Sequence, residues 1–269
     1  MNASCALRRT VLTLCLFLAA AAASAQAQQI TKPYEPSVGQ QGKDVVWVPT
    51  SQALVDKMLD IANVTAADFV IDLGSGDGRT VISAAKRGAR ALGVEFNPEM
   101  AELSRQSIAQ AGVEARATII QGDLFEADLS EATVITMFLL PSINLKLRPK
   151  ILDLEPGTRI VSNTFTMENW EADETATISD GCTSWCTALL WYVPAKVEGT
   201  WSFAQSQLSL TQQFQMISGT AGPTPISNGR MRGNRITFRA GSTEYTGSVE
   251  RNTMQGTTSG GGTWTAERR

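Results

Sequence analysis

The chain of 269 residues contains no histidine. Without an imidazole there is no Ser-His-Asp triad, no Cys-His pair and no His-ligated metal site. Chemistry is left to carboxylates, hydroxyls, backbone dipoles or a bound cofactor, and no metal site is expected. A basic surplus is missing too. The formal net charge is -3, so nothing in the composition would neutralise a phosphate backbone, and nucleic acid is not an expected partner. Long apolar runs are also scarce. Val11 to Ala23, behind Arg8-Arg9, falls short of the roughly 20 residues that span a bilayer. It leads into the small-residue sites Ala23-Ser24-Ala25 and Ala25-Gln26-Ala27. This order reads as a secretory signal peptide over residues 1–27, giving an exported, periplasmic protein with no stable membrane span after cleavage. The alternative is membrane association through an uncleaved N-terminus. Cysteine is sparse: of four, only Cys182 and Cys186 lie beyond residue 27. They are candidates for a disulfide in an oxidising compartment. Buried thiols and a metal pair are the rival readings, and a metal pair would lack two further ligands.

What is present has the length for one α/β core and one small extra domain. Residues 28–49, with Pro33, Pro36, Gly39 and Gly42 among polar neighbours, read as an irregular N-terminal arm. From Thr50 to Pro194, short apolar runs alternate with helical patterns, the signature of a parallel sheet with helices on both faces. Strands are expected at 69–73, 90–95, 118–121, 134–139, 159–163, 175–179 and 187–193. Helices are expected from Thr50 or Ser51 to Ala62, over 79–87, over 98–111 with Pro98 in its first turn, and between Ile143 and Leu154. Past Pro194 the composition shifts to Thr, Ser, Gln and Gly, with apolar residues alternating at Trp201 and Phe203 and at Leu208 and Leu210. Residues 199–269 therefore read as a small antiparallel β-module, a meander or incomplete barrel whose first and last strands are neighbours. This module is expected to be separable from the rest.

The first strand runs into Asp72-Leu73-Gly74-Ser75-Gly76-Asp77-Gly78 and then a helix, an arrangement that brings backbone close to a ligand. A dinucleotide-binding loop and a bland glycine turn are the competing readings. The spacing is G-x-G-x-G, not G-x-G-x-x-G, and the loop carries the carboxylates of Asp72 and Asp77. Beside a pyrophosphate those charges would repel, since a like charge at 4 Å costs about 4 kcal/mol at an effective dielectric of 20. A ligand with cationic groups and one carboxylate, such as S-adenosylmethionine, suits an acidic loop with free amides. Glu95, ending the second strand, is placed to accept from two ribose hydroxyls. Asp123, in Gly122-Asp123-Leu124 after the third, is placed for an adenine amino group.

Asp72 to Gly78 resembles motif I of class I methyltransferases, and Glu95 and Asp123 match the acidic residues of their next two motifs. The stretch from Trp47-Val48-Pro49-Thr50 through Phe138-Leu139-Leu140-Pro141 to Val161-Ser162-Asn163 is similar to one subgroup. It includes the protein-lysine methyltransferases of the ADP/ATP translocator and the ATP synthase c subunit, and their bacterial relatives. The resemblance covers roughly Val45 to Pro194, and Trp47 stands where a tyrosine is usual. It implies a Rossmann-like seven-stranded sheet, S-adenosylmethionine as cofactor, and a methyl acceptor that is a protein lysine. The implied cofactor residues are Thr50, Asp72, Gly74, Ser75, Gly76, Asp77, Gly78, Glu95, Asp123 and Leu124. Leu139, Leu140 and Pro141 fall where this fold receives the acceptor, and no residue is assigned as catalytic. The alternative is an exported cell-envelope binding protein that keeps the fold without catalysis.

Overall fold

The computed structural model describes residues 34–204 and 206–269. The signal-peptide reading over residues 1–27 lies outside them. The chain divides into two units, Met1–Glu35 and Pro36–Arg269, and the second contains a seven-stranded sheet and a closed barrel.

The sheet is formed by β1 (Phe69–Leu73), β2 (Arg90–Glu95), β3 (Ala117–Gln121), β4 (Val134–Met137), β5 (Arg159–Asn163), β6 (Glu174–Thr177) and β7 (Thr187–Tyr192). Their order is β3-β2-β1-β4-β5-β7-β6. β7 runs antiparallel to both its neighbours while β3 through β5 are parallel. Side chains alternate across the sheet, so Val70 packs into one apolar cluster while Ile71 and Leu73 pack into the other. Both faces are thereby buried, as a parallel sheet requires.

Among the described residues, four helices cover the sheet: α1 (Gln52–Ile61), α2 (Arg79–Lys86), α3 (Pro98–Ala111) and α4 (Pro141–Leu152). Ser51 caps α1 by accepting from the Leu54 N–H at 3.3 Å. Asn97 caps α3, with Pro98 at its first position and Gly112 in the left-handed conformation after its end. Three expectations shift. β6 runs over Glu174–Thr177 instead of 175–179. α4 begins and ends two residues early, because Pro141 fits the first position of a helix. β4 stops at Met137 instead of Leu139, and Phe138 to Leu140 leave the sheet to line a cleft.

Residues 199–269 form β8 (Gly199–Phe203), β9 (Ser206–Gln213), β10 (Met216–Ala221), β11 (Thr224–Arg232), β12 (Arg235–Ala240), β13 (Thr243–Glu250), β14 (Thr253–Thr258) and β15 (Thr263–Arg268). Each strand pairs antiparallel with the next, and β15 returns to pair with β8 through Ala266 opposite Phe203. The barrel is closed, not incomplete, which leaves no unpaired strand edge. Trp201, Met231, Ile236, Phe238 and Trp264 belong to its buried core, and the Phe238 and Tyr245 rings stack at 4.8 Å.

Several contacts join this barrel to the sheet. Phe214, between β9 and β10, stacks on the fully buried Trp170 with centroids 5.8 Å apart. The Gln215 amide donates to the Glu171 carbonyl at 2.8 Å. Arg230 pairs at 2.7 Å with Asp173, whose side chain is buried. Phe214→Ala should therefore lower the stability of the whole unit by about 2 kcal/mol, less than the 3 to 5 of a fully buried ring. Calorimetry should show one transition moved to lower temperature. Two resolved transitions would mean that barrel and sheet unfold independently.

Candidate active site

The loop after β1 takes its shape from three glycines in the left-handed conformation, Gly74 (φ 75), Gly76 (φ 54) and Gly78 (φ 82), a region most other residues enter only at a cost. Close contacts reinforce the requirement. A Cβ on Gly76 would lie 2.6 Å from the Trp47 indole nitrogen, and one on Gly78 would lie 2.1 Å from Ser104 Oγ. The Gly74 and Ser75 N–H groups both donate to the Val94 carbonyl, at 2.9 and 3.0 Å, which ties the loop to β2. Gly78 then opens α2 with no side-chain cap.

A cleft of about 250 Å³ lies over the carboxyl ends of the strands. Thr50, Asp72, Gly74, Ser75, Gly76, Asp77, Glu95, Asp123, Leu124, Leu139 and Leu140 all line it. Two expected residues do not. Gly78 faces Ser104, and Pro141 is taken up as the first residue of α4. Ser75 is buried with its hydroxyl turned toward β2, where a Cβ on Gly93 would lie 2.5 Å from it, and the hydroxyl has no partner among the described residues. Its contribution to the cleft is therefore made through the backbone.

The acids differ in state. Asp72 is buried and accepts from Thr136 Oγ1 at 2.6 Å. Burial pushes its carboxyl up to about 7, against the hydrogen bonds from Thr136 and Thr80 and with help from the charges of Asp77 and Glu95. Glu95 is half-buried and accepts from the Gly76 N–H at 2.8 Å and the Asn97 N–H at 2.9 Å. Asp77 is gripped by Arg79 through both oxygens, with the shortest contact 2.5 Å, while Arg79 also donates to the Thr50 carbonyl at 2.7 Å. Asp123 pairs with Lys43 at 2.6 Å. That hydrogen bond and one from the Phe125 N–H hold its carboxyl below the usual range.

Sequence reasoning missed most of the arm and the aromatic walls. Residues 40–49 line the cleft, with Trp47 against the glycine loop and the Lys43 ammonium 4.9 Å from the centre of the Phe96 ring. Phe138, Phe165 and Trp185 line the side reached from β4. Cys182 and Cys186 are joined by a disulfide, their Cα atoms 5.8 Å apart, which closes the loop carrying Trp185. Replacing both by serine should cost about 2 kcal/mol by loop entropy, read as a lower urea midpoint. An unchanged midpoint would mean that the bond adds nothing to stability.

The site fits S-adenosylmethionine. Left-handed glycines bring bare backbone to the cleft, Glu95 is fixed at the end of β2 by two N–H groups, and the buried Asp72 offers a carboxyl whose ionised form a cationic ligand would favour and a phosphate would oppose. Together with the sheet order and its one reversed strand, these features define a class I S-adenosylmethionine-dependent methyltransferase.

Relatives agree. The model of the ANTKMT methyltransferase domain matches residues 72–174. A protein-lysine N-methyltransferase of Saccharolobus islandicus (strain REY15A) is 46% identical over 140 residues, which are 51% of this chain and 87% of that protein. A Mus musculus lysine N-methyltransferase named for the ATP synthase c subunit is 36% identical over 107 residues, 39% of this chain and 43% of that protein. Among solved structures, an RNA methyltransferase from Salinibacter ruber in complex with S-adenosyl-L-homocysteine superposes with a TM-score of 0.52 at 45% identity. That match covers 56% of this chain and 96% of the other. The chain thus spans most of the Saccharolobus protein but less than half of the mouse one. It belongs to this family of S-adenosylmethionine-dependent methyltransferases.

Proposed function

We propose that the enzyme methylates the ε-amine of a protein lysine, and that it does so after export, in an oxidising compartment. The observation that carries the first part is the wall after β4. Phe138, Leu139 and Leu140 line the cleft beside Gly74 and Asp72 without a charged group of their own. When bound, S-adenosylmethionine supplies the methyl group. Glu95 would accept from its ribose hydroxyls, Asp123 and Leu124 would form the adenine end, and Thr50, Asp72, Asp77 and the backbone of Gly74, Ser75 and Gly76 would hold its methionine end. Leu139 and Leu140 flank the incoming lysine. An apolar wall lowers the pKa of an approaching ammonium, so the amine arrives neutral without a dedicated base.

The Saccharolobus and mouse relatives, both named as lysine N-methyltransferases, support this acceptor. The Salinibacter protein is described as acting on RNA, but a net charge of -3 gives this chain little attraction for a phosphate backbone. The Cys182–Cys186 bond supports an oxidising compartment. A binding protein without catalysis is not favoured, because the acids and glycines of the site are intact. To test the acceptor, the purified full chain would be incubated with methyl-labelled S-adenosylmethionine and a lysine-rich protein mixture, then hydrolysed. Label in methyllysine is the expected result. Label in added RNA only, or no transfer despite cofactor binding, would overturn it.

A further inference from the structure

The acceptor side of the cleft ends in three aromatic rings from three separate segments. Phe138 follows β4, Phe165 follows β5, and Trp185 lies between β6 and β7. Phe138 is the centre of the group. Its ring is stacked on Phe165 with centroids 5.7 Å apart and tilted against Trp185 at 5.9 Å. All three line the same cleft as Asp72 and the glycine loop.

Trp185 is the unusual member. The residue is 45% exposed, although burying an indole is among the larger apolar gains available to a chain. Its backbone is in the left-handed region (φ 53), which is unfavourable for a bulky residue and persists only where surrounding structure enforces it. Enforcement is visible on both sides. The Cys182–Cys186 disulfide closes a ring of five residues with Trp185 as its fourth. Gly181, also left-handed (φ 70), seats that ring against α1, where an added Cβ would lie 3.1 Å from Ala53 Cβ. An exposed indole, held in a strained backbone and turned to a cleft, is positioned for something other than packing.

We propose that Trp185, with Phe138 and Phe165, forms an aromatic box for the methylammonium end of the methylated lysine, and that the Cys182–Cys186 disulfide is the positioning device for its open wall. This rests on the lysine reading above and specifies how that amine is recognised. An aromatic face attracts a cation without a carboxylate partner, so the box holds a charged, methylated product side chain while leaving the neutral amine its lone pair. A carboxylate in the same place would keep the substrate amine protonated.

The test uses the full chain with S-adenosylhomocysteine bound. Its probes are two otherwise identical peptides, one carrying trimethyllysine and the other its carbon isostere, in which a tert-butyl group replaces the trimethylammonium. Wild type should bind the charged peptide about three- to thirtyfold more tightly than the neutral one. Trp185→Ala should erase that preference and Trp185→Phe should keep most of it. The Cys182→Ser/Cys186→Ser double variant should lose it largely, and S-adenosylhomocysteine affinity should stay within about twofold of wild type throughout. Equal binding of the two peptides by wild type, or a preference unchanged in Trp185→Ala, would overturn the box while normal S-adenosylhomocysteine binding leaves the methyltransferase intact. Failure of wild type to bind S-adenosylhomocysteine would overturn both. If the box holds but the serine double variant keeps the full preference, the disulfide's positioning role is overturned.

Discussion

Replacing Glu95 by alanine should weaken S-adenosylmethionine binding by about tenfold to several hundredfold, a net loss of about 1.5 to 3.5 kcal/mol, the size of one hydrogen bond to a charged partner. The carboxylate ends β2 within reach of the cleft and is itself fixed by the Gly76 and Asn97 N–H groups. Both oxygens are therefore oriented before any ligand arrives, so little ordering entropy offsets the bonds it offers. Alanine removes the acceptor and also the tie between the glycine loop and the start of α3. Glutamine is not a mild substitute, because its NH2 group would face one of those two N–H donors. The fold should persist, since Glu95 is only half-buried and belongs to neither sheet cluster. Calorimetric titration of the purified chain decides this. Equal affinity in wild type and Glu95→Ala would show that this carboxylate does not hold the ribose.

The sheet domain was legible because its signals are local. A glycine loop between a five-residue apolar strand and a helix, Asn97-Pro98 at a helix start and Gly112 after its end each declare themselves within a few positions. Barrel closure was half legible: strand alternation showed through, but pairing of the first and last strands depends on contacts such as Ala266 opposite Phe203. What failed to show lies between distant segments. Lys43 meets Asp123 across 80 positions, and Trp47 meets Gly76 from an arm with no periodicity. Asp77 and Asp123 read as free acids in the sequence, but each has a cationic partner in the fold. Phe214, a lone aromatic among glutamines, was the one trace of the barrel interface. The cysteine pair was visible, yet nothing in the spacing could say that its ring would turn Trp185 toward the cleft.

The largest effect should come from Asp72, in two measurements of opposite sign. Its carboxyl is raised from 3.8 to about 7, chiefly by burial. The folded state therefore holds a proton that the unfolded chain has released across that window, and stability falls as pH rises through it, by roughly 4 kcal/mol at 1.36 per unit. Asparagine has no charge to bury and keeps an oxygen for the Thr136 hydroxyl. Asp72→Asn should thus match wild type below about pH 4 and unfold at a higher temperature than wild type above about pH 7. Cofactor binding should move the other way. A cationic ligand favours the ionised carboxylate, so the affinity of wild type should rise between about pH 6 and 8 relative to that of Asp72→Asn. At pH 8, Asp72→Ala should bind a hundred- to a thousandfold more weakly, since one charge pair near 4 Å is worth about 4 kcal/mol at an effective dielectric of 20. The opposing trends distinguish an acid kept for its charge from one kept for packing. A variant that is both less stable at pH 8 and unaltered in cofactor affinity would assign Asp72 to the core instead of the site.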